Sequence, residues 1–79
     1  MYLVGRGVSQ DDGEAVQWYH RAAEQGEATG QTNLGYMYAE GRGVLQDDGE
    51  AVRWYRRATE QGEPIAQNNL GYMYAEGRG

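Results

Sequence analysis

The chain has 79 residues, about half of a typical domain length, and its seven Arg and no Lys against twelve Asp and Glu give a net charge of −5. An acidic chain repels phosphate backbones, so this charge argues against nucleic-acid binding. The absence of cysteine excludes disulfides, thiolate metal sites and a cysteine nucleophile. The longest apolar run, Met1–Val4, is too short for a signal-peptide core or a membrane span, so we expect no membrane insertion and leave the compartment open.

The sequence repeats itself at an offset of 36 residues. When residues 1–43 are laid over residues 37–79, 33 of the 43 pairs are identical, and the shared residues include Met-Tyr and Gly-Arg-Gly motifs. Repetition at a period of about 20–50 residues is typical of solenoids, which stack one supersecondary unit on the next. We therefore predict a single domain over residues 1–79, with repeat units at about 1–36 and 37–72 and a partial unit at 73–79.

Each repeat unit contains two helical patterns, which we name helix A and helix B. The chain begins with an apolar segment, Met1–Val4, that matches the end of a helix A. Helix B is predicted from Asp12 to Gln25, where apolar residues recur at the spacing of one helix face: Ala15, Trp18, Tyr19 and Ala22. Asp11 is positioned to cap this helix, Glu14 completes a capping box, and Gly26 ends the helix.

The next helix A is predicted from Ala28 to about Glu40, and Gly41 ends it. One period later, the same signals predict a helix B between Asp47 and Gly62 and a helix A from Pro64 to about Glu76. The link from helix B to helix A has only about two residues, which makes consecutive helices antiparallel neighbours. These patterns predict an all-α fold, an αα-superhelix (solenoid) of about two 36-residue helix-turn-helix repeats.

Glycine occupies fixed positions in the repeat. Gly35 and Gly71 lie in the middle of helix A on its apolar side, so we expect helix B to approach closely at both. Gly30 breaks the pattern, because its counterpart one period later is Ala66. Glycine in a helix interior costs about 0.8–1.0 kcal/mol relative to alanine, so the sequence predicts that Gly30→Ala stabilises the fold.

The repeat also carries a specific series of motifs. In the central repeat these are Asn33-Leu34-Gly35-Tyr36-Met37-Tyr38-Ala39-Glu40-Gly41-Arg42-Gly43-Val44, Ala51-Val52, Trp54-Tyr55 and Glu60-Gln61-Gly62. The series covers essentially the whole chain and resembles the Sel1-like repeat family, a relative of the tetratricopeptide repeats. The resemblance implies a solenoid whose A helices line a concave face, and a role as an interaction scaffold or adaptor, common in bacterial signalling, envelope and host-contact proteins. The cysteine pairs of the disulfide-stapled branch are missing, which argues against that branch's penicillin-binding activity.

Several residue types in this chain can carry chemistry, but a structural role explains each of them better. Four aromatic residues share the apolar arc of helix B, which favours a core over a base-stacking platform; they are Trp18, Tyr19, Trp54 and Tyr55. His20 lies on the polar side, where we expect solvent. The Asp-Asp-Gly-Glu segments lack the alternating oxygen ligands of a calcium loop, and the Gly-Arg-Gly segments suit helix ends better than RNA binding.

These interpretations leave the chain without recognisable catalytic machinery. Ser9 has no histidine or carboxylate spaced to activate it, and the sequence contains no P-loop or metal-ligand cluster. We therefore predict that the protein is not an enzyme and binds no cofactor or metal. A hydrolase is the least favoured interpretation, after the interaction module and the structural segment described next.

One surface remains as a candidate site for a protein or peptide partner. The arc of helix A opposite Leu34 and Tyr38 carries a polar and aromatic series: Thr29, Asn33, Tyr36, Glu40, Ile65, Asn69, Tyr72 and Glu76. Asparagine amides bond to peptide backbone and tyrosine rings give rigid contact area, so the predicted function is a non-enzymatic interaction module. The alternative is a purely structural segment that stacks on further repeats, or on itself as a homo-oligomer, through open ends. The open end would leave three apolar residues partly uncovered: Leu70, Met73 and Tyr74.

Overall fold

The computed structural model describes residues 8–79. The four helices in this part of the chain are α1 (Val8–Glu24), α2 (Ala28–Glu40), α3 (Asp48–Glu60) and α4 (Pro64–Ala75). Helices α1 and α3 are the predicted B helices and α2 and α4 the predicted A helices, and each packs chiefly against its neighbours in chain order. The predicted all-α solenoid architecture is therefore confirmed, while the expected helix stub at Met1–Val4 lies outside the described residues.

The helix ends follow the predicted signals, with one exception. The side chain of Asp47 caps α3 by accepting a hydrogen bond from the backbone N–H of Glu50 at 3.1 Å. Gly26 and Gly41 adopt positive φ after α1 and α2, a conformation that glycine tolerates best. The expected cap at Asp11 is wrong, because α1 begins at Val8 and places Asp11 in its first turn.

The helices enclose two connected cores. The N-terminal core lies between α1, α2 and α3 and is formed by Val16, Ala23, Leu34, Met37 and Trp54. The C-terminal core lies between α2, α3 and α4 and is formed by Ala39, Ala51, Val52, Tyr55, Ala58, Ala66 and Met73. Tyr38 packs against both cores, so α2 and α3 together hold the two repeats in one structure.

The two tryptophans occupy equivalent positions in the repeat but different environments. Trp54 is 4% exposed, whereas Trp18 is 65% exposed, so the prediction that Trp18 belongs to the core is wrong. The reason is tertiary: residues of α1 and α2 cover Trp54, and no described helix lies in the corresponding place beside Trp18. His20 is also not a purely solvated residue, because its ring meets the Trp54 ring edge-on, with centroids 6.0 Å apart.

The exposed side of α4 differs from expectation at one residue. Leu70 is half-buried and Tyr74 is exposed, as predicted. Met73, expected to be partly uncovered, is 2% exposed because it packs in the C-terminal core with Tyr55.

The glycines show where the helices approach each other. A Cβ at Gly35 would lie 2.8 Å from the ring of Tyr55, which confirms the predicted close approach of α2 and α3. No atom lies within 4 Å of the equivalent position at Gly71, so the same prediction for Gly71 is wrong in the described structure. A Cβ at Gly30 would lie 2.7 Å from the Cβ of Ala22 and 2.9 Å from the backbone nitrogen of Ala23.

The tryptophan pair provides a test of which interface holds the fold. Trp54→Ala removes a buried ring and leaves a cavity, so we expect it to cost about 3–5 kcal/mol and to unfold most of a domain this small. Trp18→Ala removes an exposed ring and should change the free energy of unfolding by less than about 1 kcal/mol. Urea denaturation of dilute protein, followed by circular dichroism, measures both. Equal losses of stability in the two variants would contradict this assignment.

The contacts around Gly30 reverse the stability effect predicted from helix propensity. The methyl group of Gly30→Ala would meet the backbone of α1, which cannot move aside cheaply, so overpacking should outweigh the gain in propensity. We expect Gly30→Ala to destabilise the protein by about 1–2 kcal/mol. Gly13→Ala in α1 is the matched control, because a Cβ there meets nothing within 4 Å and should stabilise by up to about 1 kcal/mol. Denaturant melts that show Gly30→Ala to be the more stable of the two would disprove the clash.

Candidate functional site

A shallow groove lies between the two A helices, α2 and α4, on the surface of the molecule. Its volume is about 150 Å³, and its lining comes from α2, α3, α4 and the residues after α4. The lining residues are Tyr36, Ala39, Glu40, Tyr55, Asn69, Tyr72, Met73 and Arg78. Binding sites for drug-sized molecules usually have volumes of about 300–1,000 Å³, so this groove suits one or two side chains of a larger partner.

Half of the eight residues predicted for the partner-binding face line this groove. Tyr36 and Tyr72 are exposed by 42% and 58%, Glu40 is exposed, and Asn69 is half-buried. The other four residues do not line the groove: Thr29, Asn33, Ile65 and Glu76. Among these four, Asn33 is half-buried and the rest are exposed. The structure thus brings together the carboxyl-terminal half of the face on α2 with the middle of α4.

Tyr55 of α3 lies in the floor of the groove, a contribution that the sequence pattern does not reveal. Its side chain is 2% exposed, and burial raises the pKa of its hydroxyl to about 12 because the phenolate would lose its hydration. The interaction of the hydroxyl with the Asn69 side chain opposes this rise but is the smaller effect. The floor of the groove is therefore a neutral hydroxyl, and it is fixed by the same packing that forms the C-terminal core.

The charged groups at the groove are unevenly paired. The guanidinium of Arg78 donates to Asp48 Oδ1 at 3.0 Å and to the backbone carbonyl of Ala39 at 2.8 Å. The bond to Asp48 raises the pKa of Arg78, which stays charged. Glu40 takes part in none of the ion pairs found within residues 8–79. The groove therefore offers an available carboxylate, while its arginine is already held.

The arginines of the second and third Gly-Arg-Gly motifs, Arg42 and Arg78, have a role that sequence reasoning missed. Arg42 pairs with Asp12 across 30 residues at 3.0 Å, and Arg78 pairs with Asp48 at the same separation and distance. Each pair ties the end of a helix A to the start of the preceding helix B. The sequence contains a signal for these pairs, since the arginines and the aspartates both recur on the 36-residue period. The spacing alone does not show that an arginine and an aspartate meet.

A second set of polar contacts joins one repeat to the next. Gln61 donates to the carbonyl of Gly26 at 2.9 Å and to Gln31 Oε1 at 3.0 Å. Thr32 donates to Glu63 Oε1 at 3.0 Å, and the same oxygen accepts from the backbone N–H of Ala66, which caps α4. These bonds connect the B-to-A turn and the start of helix A in the first repeat to the B-to-A turn of the second repeat. They also fix the relative position of α2 and α4, the two helices that form the groove.

Two further properties hold over the whole described part of the chain. Residues 8–79 contain no cluster of three or more His, Asp or Glu side chains arranged to hold a metal ion. None of the four helices is long and apolar enough to cross a bilayer.

The raised pKa of Tyr55 predicts a loss of stability at alkaline pH. The unfolded chain releases this proton near pH 10 and the folded chain only near pH 12, so the contribution of neutral Tyr55 is complete below pH 10 and is lost as the pH rises toward 12. We expect urea melts between pH 9 and 11.5 to show a decline in which Tyr55 accounts for on the order of 2 kcal/mol. The Tyr55→Phe variant should lack the share of the decline that Tyr55 causes. The Tyr72→Phe variant, which loses an exposed hydroxyl, should retain it. An identical decline in all three proteins would contradict the assignment.

Comparison with known proteins identifies the repeat. The model of the Sel1 repeat family matches residues 1–27, 28–63 and 64–79, with unit boundaries at the starts of α2 and α4. A crystal structure of a Sel1 repeat protein from Oxalobacter formigenes is 48% identical, with a TM-score of 0.81 over 85% of this chain and 28% of that one. A protective antigen present in uropathogenic Escherichia coli strains, displaying an SLR fold, is 49% identical, with a TM-score of 0.84 over 94% of this chain and 16% of that one.

The chain spans less than a third of the length of either solved relative. No curated protein sequence matches it. The family model nevertheless covers the chain from end to end, and both solved relatives share its fold. The chain belongs to the Sel1 repeat family.

Proposed function

We propose that this chain is a non-catalytic interaction module that binds a peptide segment of a protein partner in the groove between α2 and α4. The Sel1 repeat fold is commonly a protein-interaction module, and proteins that contain it are generally non-catalytic scaffolds. The observation that carries the proposal for this groove is the pair of exposed rings, Tyr36 and Tyr72. They lie one period apart and line the same groove over a buried floor.

The groove combines three kinds of contact that suit a peptide. The tyrosine rings offer rigid apolar area and lose little conformational entropy on binding. The amide of Asn69 can both donate and accept, as a peptide backbone requires. The small volume favours insertion of a side chain over binding of a free metabolite.

The charge of the groove favours a basic peptide. Glu40 supplies a carboxylate, and the whole chain has a net charge of −5. A guanidinium already lies over one of the two rings, since Arg42 is 5.9 Å from the centroid of Tyr36. A Lys or Arg side chain of the partner would thus combine a cation–π contact at a tyrosine with an ion pair to Glu40.

Selection of peptides on the purified protein tests the proposal. A displayed library of random peptides is selected on the immobilised chain, and the recovered peptides are titrated against it in solution. We expect saturable binding by peptides enriched in Lys or Arg. Tyr72→Ala should weaken binding by about 10-fold or more, and Glu40→Gln should weaken it less and reduce its dependence on salt.

Tyr74→Ala is the matched control for Tyr72→Ala. Both residues are exposed tyrosines of α4, but Tyr74 does not line the groove, so its removal should leave the affinity unchanged. Melting curves establish that both variants remain folded. The proposal is refuted if the Tyr36→Ala and Tyr72→Ala variants bind peptides as tightly as the wild type does. It is also refuted if no peptide binds with saturation, which is the result expected of a purely structural segment.

A further inference from the structure

An arginine of this chain already shows how a guanidinium binds one of the groove tyrosines. The guanidinium carbon of Arg42 lies 5.9 Å from the centroid of the Tyr36 ring, within the distance at which a cation is attracted to an aromatic face. The same guanidinium donates to both carboxylate oxygens of Asp12, at 3.0 and 3.3 Å. A single flat group therefore contacts a tyrosine face and a carboxylate at the same time.

The equivalent tyrosine of the next repeat lacks such a contact within residues 8–79. Arg78 repeats the ion pair one period later, with Asp48 at 3.0 Å, but its guanidinium also donates to the backbone carbonyl of Ala39 at 2.8 Å. None of the cation–π contacts in the described part of the chain involves Tyr72. This ring is 58% exposed, so its face is accessible to a cation from a partner.

The third exposed tyrosine of residues 8–79 also has an arginine beside it. Arg56 donates to the hydroxyl of Tyr74 at 2.8 Å. Tyr36 and Tyr74 thus each contact a guanidinium of this chain, through a cation–π contact or a hydrogen bond. Tyr72 makes neither contact with an arginine of the described residues, although it lines the groove.

The groove supplies the second group that an incoming arginine needs. Glu40 lines the groove with Tyr72, is exposed, and takes part in none of the ion pairs in the described part of the chain. The charge of Arg78 in the groove lining is balanced by Asp48 at 3.0 Å, so it opposes an incoming cation little. The groove thus combines an aromatic face and a carboxylate, the two groups that hold Arg42 elsewhere in the molecule.

We propose that the groove contains a guanidinium subsite, in which an arginine of the bound peptide stacks on Tyr72 and donates to Glu40. The inference rests on the proposed function, because it names the side chain that the peptide places in the groove. It narrows a preference for Lys or Arg to a preference for Arg. The N–H donors of a guanidinium lie in the plane of the group, so stacking on a ring leaves them available to a carboxylate.

The floor and the size of the groove favour arginine over lysine. The Tyr55 hydroxyl in the floor stays neutral, and Ala39 and Met73 add apolar surface, so a cation that enters loses part of its hydration. An ammonium is a compact and strongly hydrated charge, whereas a guanidinium is more weakly hydrated and stacks on aromatic rings. A groove of about 150 Å³ also admits a flat group more readily than a hydrated ammonium. Lysine therefore gains less than arginine at this site.

Matched peptides test the preference directly. Peptides recovered by selection on the purified chain are synthesised with arginine, lysine or citrulline at the basic position and titrated calorimetrically. Lysine keeps the charge and loses the flat group, whereas citrulline keeps the flat shape and loses the charge. We expect the arginine form to bind about 10-fold more tightly than either of the others, because only arginine makes both contacts.

Two pairs of variants assign the preference to the groove. Tyr72→Leu keeps apolar bulk but loses the aromatic face, so it should reduce the preference for arginine over lysine to about 3-fold or less, whereas Tyr72→Phe should retain the preference. Glu40→Gln should weaken binding of the arginine form by about 5-fold or more. Glu76→Gln is the matched control, because Glu76 is the exposed equivalent of Glu40 and does not line the groove. Circular dichroism establishes that all four variants are folded.

The outcomes separate the guanidinium subsite from the proposed function. Saturable binding that Tyr72→Ala weakens, but with equal affinities for the arginine and lysine forms, would overturn the subsite and leave the peptide groove intact. A citrulline form that binds as tightly as the arginine form would also overturn it, and so would a preference for arginine that Tyr72→Leu leaves unchanged. Absence of saturable binding by every form would remove the peptide groove and the subsite together.

Discussion

The close approach of α2 and α3 at Gly35 determines the position of most other features. Because Gly35 has no side chain, the Tyr55 ring lies directly on the α2 backbone and reaches through to the groove beyond it. The same packing places the adjacent Trp54 against the residues of α1 and α2. One small residue in α2 thus allows α3 to contribute a large aromatic ring to each of the two cores. A helix–helix distance set by a bulkier residue would separate the cores and remove the floor of the groove.

The sequence predicts the helices well because their signals are local. The apolar spacing of helix B, the proline at the start of α4 and the glycines after α1 and α2 act within a few residues of where they stand. Repetition adds the architecture, since two nearly identical units must pack on each other in the same way. The assignment of Tyr36 and Tyr72 to an exposed arc likewise needs only the helical period.

The predictions that are wrong concern distances between helices, which the residue pattern of a single helix does not determine. The apolar pattern marks Trp18 and Trp54 as equivalent, but it does not state whether another helix lies beside each of them. Gly30 and Ala66 also look interchangeable in the sequence, yet the approach of α1 and α2 leaves no room for a methyl group at position 30. The ion pair between Arg42 and Asp12 joins residues that local patterns assign separately to a turn and to the start of helix B. Predicting it requires the packing angle of two helices as well as their boundaries.

The capping of α4 through Glu63 and Thr32 has a consequence for how the molecule loses its structure. The carboxylate that holds the first turn of α4 is itself held by a residue of the preceding repeat, so the order of one unit depends on the order of its neighbour. In a repeat protein with nearest-neighbour coupling of this kind, the stability of each unit depends on whether the adjacent unit is folded, so unfolding spreads inward from an end. Amide hydrogen exchange should then be slowest in α3 and in the middle of α2, and faster at the first turn of α2, where the side chain of Glu27 makes no capping bond. Opening of a unit would be governed by its position in the array as much as by its own sequence.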